Sequence, residues 1–185
     1  DIGPEASKPV MEGKGVLFKI FADIDVFDIE LNCKDVDHFV ETVKAMEPTF
    51  GGINLEDIKA PESFEIEERL KAALNIPIMH DDQHGTAIIS AAGLINALRL
   101  VEKELSDVRI VVNGAGASAI ACSKLFVSLG ADKKNIVMLD SKGVLRADRT
   151  DLDKYKSQFV TQRDLNTLDD ALVSADVFIA LPYDN

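Results

Sequence analysis

Two pairs of adjacent acids stand out for the chemistry they could perform. Asn54-Leu55-Glu56-Asp57 follows the apolar run Phe50-Gly51-Gly52-Ile53, and His80-Asp81-Asp82-Gln83-His84-Gly85-Thr86 follows Ile76-Pro77-Ile78-Met79. Each reads as a buried strand ending in carboxylates, which is where open α/β sheets build their sites. Carboxylates drawn together repel unless protons or a cation lie between them. Oxygen donors suit a hard divalent ion, and three of them leave octahedral Mg²⁺ or Mn²⁺ with positions open for a substrate. The plain alternative is a solvated loop at Glu56 and Asp57, with Asp81 or Asp82 capping the helix that Gly85-Thr86-Ala87 begins. Either pair alone fits that alternative; both together, each at the end of an apolar run, point to a metal.

A second constellation lies further along the chain. Val108-Arg109-Ile110-Val111-Val112-Asn113 leads into Gly114-Ala115-Gly116-Ala117-Ser118-Ala119 and a helix to Leu129, which fits the dinucleotide fingerprint with alanine as its third small residue. Gly114 serves the tight turn, Gly116 lets the backbone approach a pyrophosphate, and Ala119 permits close packing of helix on strand. Asn135 to Asp140 is the next strand, and its final acid is placed to bind a ribose 2′-hydroxyl. Lys142, two residues on, pairs with a 2′-phosphate or faces solvent, so NAD and NADP both stay open, with a slight lean to NAD. The candidate dinucleotide set is Gly114, Ala115, Gly116, Ala117, Ser118, Ala119, Asp140, Ser141, Lys142 and Thr86.

The elements that must position these groups alternate. Lys8 to Gly15 reads as a Gly-Pro loop, followed by a helix with the apolar face Val16, Leu17, Ile20 and Phe21. Lys14 falls at that helix's start, where the dipole disfavours an ammonium. Either its stem snorkels to water, which the local sequence favours, or its pKa is lowered so that it accepts a proton near neutral pH. Phe27 to Leu31 alternates as a strand, Val36 to Ala45 is helical, Phe50 to Leu55 a strand, Ser63 to Leu74 a helix that Ser63 caps, and Ile76 to Met79 a strand. Such alternation means parallel pairing by crossovers. Thr86 to Val101 is a long buried helix; Asp169 to Val173 and Asp176 to Leu181 complete the second half as a short helix and a strand.

The chain has 185 residues, 46% of them hydrophobic, enough for one large or two small domains. A net charge of −12, from 20 basic against 32 acidic residues, excludes nucleic acid and anionic membranes as partners. No apolar run reaches bilayer length and the start lacks a secretory leader, so a soluble cytoplasmic protein acting on small molecules is expected. Cys33 and Cys122 read as free thiols. The start without Met, and the stop soon after Val177 to Leu181, suggest missing ends. His80 and His84 have the i, i+4 spacing of a zinc pair, but the helix is expected to begin after them, which disfavours zinc.

These words together resemble the central part of a malic enzyme of the shorter bacterial type. The resemblance rests on Ile2-Gly3-Pro4-Glu5-Ala6, Lys8-Pro9-Val10-Met11-Glu12-Gly13-Lys14, Pro48 to Asp57, Phe64-Glu65-Ile66-Glu67, His80 to Ala87 and Gly114-Ala115-Gly116, in order along nearly the whole chain. It implies oxidative decarboxylation of (S)-malate to pyruvate and CO₂ with NAD(P)⁺ and Mg²⁺ or Mn²⁺. It also implies roles: Glu56, Asp57 and Asp82 as metal ligands, Lys14 as general base, and Asp81 as the carboxylate that orients Lys14, which reverses the local reading of that lysine. The tyrosine acid and the substrate asparagines of the family lie outside this chain, and neither Tyr155 nor Tyr183 takes that role.

The expected fold is α/β: a smaller catalytic domain over residues 1–80, incomplete at its start, then a Rossmann-type NAD(P)-binding domain with a parallel sheet over 81–185, incomplete at its end. By the same resemblance the boundary falls beside Asp81, so domain closure would complete the metal site. The resemblance further implies a homodimer or higher oligomer. Two other functions stay open, a malolactic or oxaloacetate-decarboxylating enzyme and an inactive malic-enzyme-like module of a larger fusion protein.

Overall fold

A computed structural model of the chain describes residues 3–181, so Ile2 and Tyr183 lie outside the described residues. The chain divides between Asp81 and Asp82 into two compact units.

The first unit opens with α1 (Pro4–Ala22), a single helix through Pro9, Gly13 and Gly15, where a Gly-Pro loop was expected. Pro4 is pre-set for a first turn. The lone bond that Pro9 removes and the roughly 1 kcal/mol per glycine do not break a helix of 19 residues. Lys14 consequently sits in mid-helix, far from the dipole's positive end, and the dipole does not act against its charge as expected for a helix start. The helix ends at Asp23, which adopts the left-handed conformation (φ 53°).

Residues 24–34 form neither helix nor strand and join no ladder among the described residues, so the strand expected at Phe27 to Leu31 is absent. Its alternation serves ion pairing instead. Asp28 and Glu30 turn toward Lys8, while Phe27 and Ile29 are exposed.

The helix α2 (Val36–Met46) is capped by Asp35, which accepts from the His38 N–H at 3.0 Å. The strands β1 (Ile53–Leu55) and β2 (Ile78–His80) pair in parallel across the crossover helix α3 (Glu62–Ala73). Ser63 does not cap α3; Pro61 holds the cap position and Ser63 is buried in the first turn. Val40 and Val43 of α2, Ile66 and Leu70 of α3, Leu55 and Ile78 form the core. This core covers one face of the strand pair and fixes its carboxyl ends.

No loop separates β2 from α4 (Asp81–Leu100), which starts five residues before the expected Thr86. Asp81 and Asp82 thereby occupy its first turn, where the helix dipole favours negative charge. His80 ends a strand and is fully buried while His84 lies on the helix, so the two imidazoles do not share a helical face.

The second unit is built on a sheet of order β5-β4-β3-β6. It comprises β3 (Ile110–Asn113), α5 (Ala117–Ser128), β4 (Ile136–Asp140), β5 (Gly143–Val144), α6 (Leu168–Leu172) and β6 (Val177–Ala180). β3 pairs in parallel with β4 and with β6, and β5 is an antiparallel edge. Val111, Val112, Val137 and Met138 are all buried, the continuous apolar pattern of strands covered on both faces. With β3 at the centre and its successors on either side, the sheet has the strand-order reversal at which Rossmann-type folds open a crevice. The α/β class and parallel sheet are those expected. No helix among the described residues is long and apolar enough to cross a membrane.

Candidate active site

The register of the first unit explains which acids meet. Leu55 pairs with His80, so the next residues, Glu56 and Asp81, emerge side by side at the carboxyl ends of adjacent parallel strands. Each offers a carboxylate oxygen within 4.8 Å of the other. Lys14 reaches both from α1, with Nζ 2.6 Å from Asp81 Oδ2 and 3.1 Å from Glu56 Oε2. Asn54 Nδ2 also donates to Glu56 Oε2, at 3.1 Å. Its own Oδ1 is buried without a hydrogen-bond partner among the described residues.

Burial pushes the Glu56 carboxyl above its ordinary range, although Lys14 and Asn54 pull it down; the charge of Asp81 adds to the rise. For Lys14, burial works to lower the pKa, yet the hydrogen bonds and charges of Asp81 and Glu56 outweigh it and hold the ammonium above its usual 10.5. A half-buried carboxylate that resists ionisation beside a second carboxylate is a place where a cation relieves charge. The all-oxygen donors fit a hard divalent ion.

Asp57 has a left-handed backbone (φ 57°), which breaks the strand's alternation, and it is not gathered with Glu56 and Asp81 among the described residues. Asp82 follows Asp81 in the first turn of α4. Beside Lys14 and Glu56 the first unit opens a cleft of about 1030 Å³, also lined by Asn54, Asp57, Asp28 and Glu30, roomy enough for a small dicarboxylate.

In the second unit, β3 runs into the turn Gly114-Ala115-Gly116 and α5. Gly114 has φ +128°, and a Cβ there would lie 2.0 Å from the carbonyl oxygen of Leu181. The tight turn expected at Gly114 is therefore also a close approach of the chain leaving β6, invisible in sequence because Leu181 is remote. Ala115 and Ala119 are buried, as close packing of helix on strand requires. Gly116 is the N-cap of α5 and no side chain caps that terminus, so its first-turn N–H groups suit an anion. Ser118, second in α5, donates its hydroxyl to the main-chain carbonyl of Asp82 at 2.6 Å. Thr86 is half-buried on α4.

Asn113 pairs with Leu139, which sets Gly114 and Asp140 next to each other at the sheet's carboxyl edge. The Asp140 carboxylate is fully engaged. Arg149 grips it with two bonds of 2.8 and 3.0 Å, the Lys142 N–H donates at 2.9 Å, and Lys156 Nζ lies 3.3 Å away. Burial alone would raise this carboxyl, but these partners hold it below the ordinary 3.8. The Lys142 side chain pairs with Asp151 at 2.7 Å, and Ser141 is exposed. Arg149 and Lys156 were not anticipated. The only sequence signal was alternating charge over Arg146, Asp148, Arg149 and Asp151, which reads equally well as a solvated surface.

The chain matches the family models described as malic enzyme, N-terminal domain, over residues 1–71, and malic enzyme, NAD binding domain, over residues 83–177. The NADP-dependent malic enzyme of Escherichia coli is 60% identical over 97% of this chain. The NAD-dependent malic enzyme of Rhizobium meliloti is 54% identical over 98% of it. The chain spans only 24% of each of those relatives. The crystal structure of the NAD-dependent malic enzyme from Thermotoga maritima superposes with a TM-score of 0.92 at 45% identity, covering 100% of this chain and 50% of that one.

Proposed function

Because the chain belongs to the malic enzyme family, we propose that its protein oxidatively decarboxylates (S)-malate to pyruvate and CO₂, with NAD(P)⁺ as hydride acceptor and Mg²⁺ or Mn²⁺ as cation. Residues 1–80 would form the catalytic domain and residues 81–185 the dinucleotide-binding domain, in a protein that self-associates. The observation that carries this reading is the Lys14 ammonium, 2.6 Å from Asp81 and 3.1 Å from Glu56 at the ends of two parallel strands.

In this reading Glu56, Asp57 and Asp82 hold the cation, Lys14 takes the proton of malate's 2-hydroxyl, and Asp81 orients Lys14. A cation held there supplies Lewis acidity, acidifying the hydroxyl and stabilising the negative charge that develops as CO₂ leaves. Lys14 must first shed the proton that its two carboxylates stabilise. Once Glu56 shares its charge elsewhere, one of the two groups that raise Lys14 is removed, and Asp81 alone fixes Nζ and balances the returning proton.

For the dinucleotide, the reading favours NADP⁺ over the NAD⁺ toward which a strand-ending acid inclines. Asp140 has its oxygens taken and is not free for a ribose 2′-hydroxyl, while Arg149, Lys156 and Lys142 stand at the same strand end against the carboxylates of Asp140 and Asp151, three cations to two anions. An arginine in that place accommodates a 2′-phosphate.

The test is product analysis on the intact protein with malate, Mn²⁺ and each dinucleotide in turn. Equal amounts of pyruvate and NADPH are expected. Lactate would indicate a malolactic reaction, and no turnover with either dinucleotide would overturn the proposal.

A further inference from the structure

The hydrogen bond from Ser118 to Asp82 links a residue of the proposed dinucleotide site to one of the proposed cation ligands, so its role rests on the proposed function. A hydroxyl in the first turn of a helix that opens after a Gly-rich turn has two ordinary uses, to bond its own helix's main chain or to meet an incoming phosphate. Ser118 does not bond its own helix. Its Oγ donates to the Asp82 carbonyl, 36 positions earlier and 2.6 Å away. Both residues are half-buried.

We infer that Ser118 is a positioning residue that couples dinucleotide binding to cation binding. A pyrophosphate bound at the N–H groups of Gly116, Ala117 and Ser118 orders the first turn of α5, and with it the Ser118 hydroxyl. That hydroxyl restricts rotation of the peptide unit leaving Asp82, in the turn of α4 that presents the Asp82 carboxylate. The ordering cost that one ligand meets is then spared the other. Coupling of this kind is reciprocal, so each ligand tightens the other by the same factor.

The experiment measures four dissociation constants on the intact protein by calorimetry and Mn²⁺ electron paramagnetic resonance: Mn²⁺ alone, dinucleotide alone, and each with the other saturating. NADP⁺ and NAD⁺ are both used. The expected result is mutual tightening of about fivefold, the effect of a single hydrogen bond. In Ser118→Ala the factor falls to about one, and in Ser118→Thr, which keeps the hydroxyl, it persists. Ser118→Cys keeps the volume with a weaker donor, is expected to lose most of the coupling, and carries the test should the alanine variant not fold. A merely structural Ser118 would change stability and leave the ratio unmoved. Affinities independent of the second ligand in the parent, or a Ser118→Ala ratio equal to the parent's, overturn the inference while the proposed function stands. If the parent binds neither Mn²⁺ nor dinucleotide, the proposed function itself falls and the inference with it.

Discussion

Lys14 Nζ lies 2.6 Å from Asp81 Oδ2, although 67 positions separate the two residues in the chain. One is in the middle of a helix and the other is the first residue after a strand, so the pair exists only once α1 is laid beside the ends of β1 and β2. Its removal separates chemistry from folding. Lys14→Ala is expected to lower kcat by about 10²- to 10⁴-fold, the usual worth of a positioned proton acceptor, while circular dichroism shows a folded protein. A variant that keeps kcat within about threefold of the parent would take Lys14 out of the proton transfer.

Arg149 offers a test of the dinucleotide choice. If Arg149 meets the 2′-phosphate as proposed, Arg149→Ala removes a charged donor from that place and releases Asp140 from its bidentate partner, to repel a phosphate and to accept from a ribose hydroxyl. Affinity for NADP⁺ should fall by about tenfold to a hundredfold, since a bond to a charged group contributes about 1.5–3 kcal/mol. Affinity for NAD⁺ should hold or improve. Parallel titrations with both dinucleotides decide it, and an unchanged preference would remove Arg149 from the site.

Much of this was legible in the sequence. Glu56-Asp57 and Asp81-Asp82 announced themselves as strand ends because apolar runs led into them, and Gly114 to Ala119 did so by its glycines between a strand and a helix. Lys14 was readable only through family likeness, because Pro9, Gly13 and Gly15 look like breakers while the folded chain runs a helix through all three. Nor does any local pattern say that Asp57 turns left-handed, or that Phe27 to Leu31 finds no strand to pair with.

The same carboxylate that Arg149 holds gives a dependence on pH. The folded pKa of Asp140 is depressed below 3.8, so the unfolded chain takes up its proton first as pH falls. The stability contributed by Asp140 is therefore complete above that ordinary value and is lost as pH drops through the lower, folded one. Urea midpoints of the parent and of Asp140→Asn should differ most near neutrality and converge below about pH 4. A gap that widens with acid would contradict the assignment.

Ser63 was expected to cap α3 and is instead fully buried inside it, its hydroxyl without a hydrogen-bond partner among the described residues. An unsatisfied buried hydroxyl costs about 1–3 kcal/mol, so Ser63→Ala should raise unfolding stability by about 1 kcal/mol. Loss of stability in a denaturant titration would show that the hydroxyl is satisfied in solution.

Gly114 has one more implication, which concerns descent rather than binding. The carbonyl of Leu181 occupies the space that any side chain at position 114 would need, so the sheet demands glycine whether or not a dinucleotide ever arrives. A lineage that abandoned the cofactor would keep this glycine as long as it kept β6. Among diverged relatives, position 114 marks the inherited architecture, whereas Arg149 and Ser118, where no close backbone approach dictates the residue, are the positions whose drift would record a change of trade.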